Sequence, residues 1–150
     1  MATKFWKDIA RISPRSKKYQ LIGNHDVRVS KRISEKLPEL AELFNVIDLY
    51  SFKGVKVLKS DRDYLEIDGV VYCHGWLSKS LDHAKHFNKP TVHGHRHRPC
   101  IEVDGDLWSM DCGFMADETS LPLQYTMSKL TKWRMAYGIV ENKSPRLVLL

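Results

Sequence analysis

At 150 residues the chain has the length of one domain, able to bury roughly two-thirds of its unfolded surface. Its 43% hydrophobic and 28% charged residues are ordinary for a globular protein, which excludes a disordered or fibrous chain. A net charge of +6, from 24 Lys and Arg against 18 Asp and Glu, raises the local concentration of anionic ligands, phosphates included, without establishing nucleic-acid binding.

The first expected element is a helix over Lys4–Ile12, with Phe5, Ile9 and Ile12 on one face and Pro14 beyond its end. "YQLI" then reads as a short buried strand delivering the chain to Gly23. From Ser30 the apolar positions Ile33, Leu37, Leu40, Ala41 and Phe44 recur at helical spacing, and Pro38 splits them into two short helices. "GVKVL" alternates as a strand does. "YLEIDGVVYCHG" predicts a hairpin turning on Asp68-Gly69, since both turn positions want positive φ. "SKSLDHAKHF" predicts a helix capped by Ser80, with Leu81, Ala84 and Phe87 on one face and His83 and His86 on its surface. "TVHG" is a short strand ending at Gly94, and His93 reads as a neighbour of that exit. A second hairpin, "CIEVDGDLWSM", turns on Asp104-Gly105, and a last one closes over Asn142–Pro145. This order of helices and strands predicts one domain of α/β or α+β sandwich type.

Three cysteines, Cys73, Cys100 and Cys112, show no CxxC spacing and are read as buried free thiols in a reducing compartment. No stretch approaches the ~20 apolar residues of a membrane span, and the N-terminus has no signal-peptide core. A cytoplasmic protein without membrane association is the expectation.

Chemistry concentrates where three strands hand over to loops: Gly23-Asn24-His25-Asp26, His74-Gly75 and Gly94-His95-Arg96-His97. Glycine permits each sharp exit. Asn24 offers an amide oxygen, and His25, His74, His95 and His97 offer imidazoles. Such a set suits Mn²⁺, Fe, Zn²⁺ or Ni²⁺ and suits Ca²⁺ or Mg²⁺ poorly, because those prefer oxygen.

The order GNHD, HG, GHxH resembles the calcineurin-like metallophosphoesterase family, and the likeness extends to Asp111-Cys112-Gly113. The resemblance implies a two-sheet β-sandwich flanked by helices, with a dimetal centre at the strand ends and Mn²⁺ as the leading ion. It implies that Asn24, His74 and His95 hold one ion and His97 the other. His25 would donate a proton or hydrogen bond to the substrate, and Asp26 would orient His25. Arg96, facing the cleft, would offset charge on the reacting phosphate. The implied activity is hydrolysis of a phosphate ester by a hydroxide held between ions ~3.5–4 Å apart. Positive charge tilts the substrate towards a nucleotide or nucleic-acid phosphodiester.

The family's Asp-x-His and Gly-Asp-x-x-Asp motifs are absent from the 22 residues before Gly23, which contain one aspartate, Asp8, and no histidine. By the resemblance, 1–150 matches the C-terminal portion of that fold, with the N-terminal portion missing. Three readings follow: a second chain supplies the other ligands; the chain binds one ion or self-associates; or it is an inactive nucleic-acid- or protein-binding module. Asp104, Asp106 and Asp111 read as strand and turn residues rather than as a replacement bridge.

Overall fold

Three hairpins with two-residue turns hold most of the strand residues described, and the turns set their register. The computed structural model describes residues 2–43, 51–115 and 133–150, which fall into two compact units, Met1–Asp63 and Tyr64–Leu150.

In the first unit, helix α1 (Ala2–Ile12) leads to strand β1 (Lys18–Gln20), which pairs in parallel with β2 (Val55–Val57). Periodicity places Phe5 and Ile12 on the apolar face of α1, yet they are 51% and 71% exposed. The helix is fastened one residue further round. The Trp6 indole N–H donates to Gln20 Oε1 at 3.0 Å, and its ring meets Phe52 at 6.1 Å. Trp6, Ile9 and Ala10, at i, i+3 and i+4, form the half-buried stripe. Helix α2 (Arg28–Lys36) stops before Pro38, and a 3₁₀ turn (Pro38–Leu43) follows, the break that proline demands. Phe44 lies outside the described residues.

In the second unit, β3 (Tyr64–Ile67) and β4 (Val70–Cys73) form the expected hairpin, with φ 51° at Asp68 and 77° at Gly69. Helix α3 (Ser80–Phe87) and strand β5 (Thr91–His93) come next. The second hairpin joins β6 (Cys100–Asp104) to β7 (Leu107–Asp111). Its turn is one residue later than expected: Asp104 pairs with Leu107, so Gly105-Asp106 is the loop, and only Gly105 has positive φ. Glycine at the first loop position selects the type II′ turn. The last hairpin, β8 (Ala136–Glu141) and β9 (Ser144–Leu149), turns on Asn142-Lys143, with Pro145 inside β9.

Strands β3-β4-β5-β7-β6 form one mixed sheet, parallel at β4–β5 and β5–β7 and antiparallel at both edges. Alternation sorts its residues to two faces. Val70, Trp108 and Met110 make the core on one face and pack with Val140 and Leu147 of the β8–β9 hairpin. Burying side chains of this size contributes about 1.5–3 kcal/mol each. The other face lies under α3 and is polar at its centre, with Thr91, His93, Ser109 and Asp111 all at most 2% exposed. The fold class is α/β, and this unit is a two-sheet sandwich flanked by a helix. Among the described residues, no helix is long and apolar enough to cross a membrane.

Candidate functional site

Strands β4 and β5 run parallel and side by side, so their C-terminal ends place His74-Gly75 beside Gly94-His95. The two exits are tied together, Gly94 N–H donating to the His74 carbonyl at 2.9 Å. Gly75 takes φ +94°, a conformation side chains disfavour, and turns the chain towards Trp76. His74 Nε2 then lies 3.4 Å from His95 Nδ1, with the rings nearly perpendicular and their centroids 5.3 Å apart.

What holds this pair is a buried polar network that the sequence reading missed. His83 is fully buried rather than on the helix surface, whereas His86 is exposed as expected. The backbone N–H groups of Trp76 and Leu77 both donate to His83 Nε2, at 3.0 and 3.1 Å. Its proton therefore sits on Nδ1, which faces the Ser80 carbonyl at 3.2 Å. His93 stacks on His83 at 4.0 Å and 24°. Its Nδ1–H donates to the Gly94 carbonyl at 2.9 Å, and its Nε2 accepts from the Ser80 hydroxyl at 2.8 Å. Ser109 Oγ lies 3.2 Å from Ser80 Oγ and completes the set. Ser80 therefore does not cap α3. Lys79 occupies that position without a side-chain bond.

Both rings are kept neutral. Burial, followed by the neighbouring His83, pushes His93 down to about 3, against the pull of the Gly94 carbonyl. Burial lowers His83 as well, against its bonds to backbone. The signal was present in the sequence: Ser80, His83, Ala84 and Phe87 fall at i, i+3, i+4 and i+7, one helical face with two polar members.

In the next turn His95 and His97 adopt left-handed φ values of 72° and 60°. His97 is packed against Trp133 at 4.4 Å and Phe114 at 5.7 Å, and its carbonyl accepts from Arg134 N–H at 3.3 Å. Arg96 Nη1 approaches Glu102 Oε1 at 3.9 Å. Below them Asp111 is fully buried at the end of β7, and its Oδ1 accepts the Gly113 N–H at 2.9 Å. Burial raises its carboxyl to about 6, with the Gly113 N–H and Arg96 opposing. Asp104, by contrast, is an exposed partner of Lys85 at 2.8 Å.

The remaining predicted residues lie in the first unit. Asn24, His25 and Asp26 form the turn between Gly23 and α2. Asp26 Oδ2 accepts the Gly23 N–H at 2.7 Å, closing that turn. His25 is exposed. Burial of its ring and the Arg28 charge lower its pKa, while the Asp26 carboxylate raises it.

Does this arrangement fit a metal? Among the described residues, no group of three or more His, Cys, Asp or Glu side chains is arranged around one ion. The His74–His95 pair matches one ion in its nitrogen spacing alone. Two imidazole nitrogens at ~2.0–2.1 Å from one tetrahedral ion lie about 3.4 Å apart, and the pair stands at 3.4 Å. Imidazole suits Mn, Fe, Ni and Zn.

No family model and no curated protein matches the chain. Among solved structures, a crystal structure of a single mutant of Vps29 from Entamoeba histolytica is similar at a TM-score of 0.42 and 14% identity, over 97% of this chain and 88% of that one. A likeness at that level decides neither the family nor the chemistry of this chain.

Proposed function

We propose that the chain carries the histidine side of a metal-dependent phosphoesterase site. The observation that supports this reading is the His74–His95 nitrogen pair, spaced for one ion at the ends of two parallel strands and backed by the His83–His93 network. His74 and His95 would hold a transition metal, Mn²⁺ first and Fe, Zn or Ni as alternatives, and His97 would serve a second ion. A bound ion would supply Lewis-acid polarisation of the phosphate and an activated water. From the chain itself, His25 would give a proton or hydrogen bond to the leaving oxygen, with Asp26 setting its charge. Arg96 would offset charge on the phosphate oxygens. The net charge of +6 favours a nucleotide or nucleic-acid diester. A second chain, or another copy of this one, would supply the acidic ligands, and three free cysteines suit a cytoplasmic setting.

Hydrolysis of a chromogenic phosphodiester, with Mn²⁺ and with chelator, tests the reading. Turnover should require the ion. His95→Ala should reduce it by at least ~100-fold through loss of a ligand, and His25→Ala by ~10²–10⁴-fold through loss of the proton donor. Metal-independent turnover, or activity unchanged in both variants, would sink it. Salt-dependent nucleic-acid binding indifferent to chelator, without turnover, would favour the binding-module alternative.

A further inference from the structure

Beside the histidine pair, a cleft of about 320 Å³ is lined by Trp76, Leu77, Ser78, His95, Arg96 and Arg98. Small-molecule sites start at roughly 300 Å³, so this is room for one small ligand and not for a duplex. Its walls differ in character. The loop after β4 contributes the apolar Trp76 and Leu77, and the turn after β5 contributes the cationic Arg96 and Arg98. Among the described residues, no carboxylate lines it.

Two observations specify what it would take. Arg96 Nη1 is buried with no hydrogen-bond acceptor among the described residues, and the Glu102 oxygen is 3.9 Å away. The other Glu102 oxygen is already engaged by Leu81 N–H at 2.9 Å. A buried guanidinium N–H in that state is costly until an acceptor arrives, and an oxyanion is the best acceptor for it. Second, the half-buried Trp76 ring is braced by edge contacts with His83, His86 and Phe87 at 5.8, 5.7 and 5.9 Å. A ring fixed in this way can receive a flat ligand without losing further freedom.

We propose that the cleft binds a nucleoside monophosphate unit, with its phosphate on Arg96 and Arg98 and its base against Trp76. As a statement of which ester is hydrolysed, this rests on the phosphoesterase reading; as a statement of binding, it does not.

Calorimetric titration of the full chain in chelator, with AMP, adenosine and inorganic phosphate as probes, tests it. AMP should bind at least ~10-fold tighter than either fragment, because it engages both walls. Arg98→Ala, at an exposed position, should weaken AMP ~10-fold and leave adenosine unchanged. Trp76→Leu, which keeps an apolar side chain, should bring AMP down to the phosphate value. Equal affinity for AMP and phosphate, or indifference to Arg98→Ala, would overturn the proposal. AMP binding without Mn²⁺-dependent hydrolysis would sink the phosphoesterase reading alone. Mn²⁺-dependent diester turnover with no AMP binding would sink the cleft alone.

Discussion

Replacing Asp111 with Asn is expected to leave a protein that loses about 3 kcal/mol between pH 7 and pH 4.5, a loss the native chain largely hides. Two buried groups titrate in opposite senses across this range. His93 is held near 3, far below its ordinary 6.5. Below pH 6.5 the unfolded chain takes up a proton that the folded one refuses, so stability falls on acidification. His83 acts in the same direction. Asp111 is raised from 3.8 to about 6, so the folded carboxyl keeps a proton that the unfolded one has released. Its contribution is lost as pH rises from about 4 to 6 and regained on acidification. With the carboxylate gone, only the histidine arm remains. His93→Gln should do the reverse and gain stability towards pH 4.5. Urea midpoints at several pH values for the three proteins decide the matter, and parallel curves would dispose of this account.

Gly75→Ala is the second large effect. At φ +94° an L residue is strained by on the order of 1–2 kcal/mol before any contact is counted. Its Cβ would also stand 3.2 Å from His93 Nδ1 and 3.3 Å from both the Gly94 carbonyl and His83 Nε2. Those three atoms are already committed to hydrogen bonds, so none can retreat freely. The expected cost is about 2–3 kcal/mol. Gly54→Ala is the natural control, with φ +79° and nothing within 4 Å of the added carbon. It should cost strain alone, about 1 kcal/mol. If the two substitutions cost the same by urea unfolding, crowding around Gly75 is not what matters.

Much of this architecture is legible in the sequence, because turn chemistry is local. Asp68-Gly69 fixes its hairpin through two positive φ values, and Pro38 breaks the helix that follows Gly23. The second hairpin slips by one residue because Asp-Gly and Gly-Asp both make good turns, and the cross-strand packing of Trp108 and Met110 chooses between them. The positions of the three loop motifs are equally readable, and so is the meeting of His74 with His95 once two strands are parallel. The direction of the His97 ring is not, since a left-handed turn sends it to Phe114 and Trp133. The buried His83 and His93 escape for a different reason. The inward face of α3 can be traced at Ser80, His83, Ala84 and Phe87, but its two polar members make it look wet, and His93 ends a three-residue strand too short to show which way it faces.

The left-handed backbone at His95 and His97 bears on how this sequence would change under selection. Glycine adopts such φ values without strain and asparagine with little, while a bulkier residue carries roughly 1–2 kcal/mol at each. Heat resistance selected without any test of activity would therefore replace the imidazoles at 95 and 97 early. The two positions would drift to glycine or asparagine while the hairpins stayed intact, leaving a sturdier protein with an empty turn.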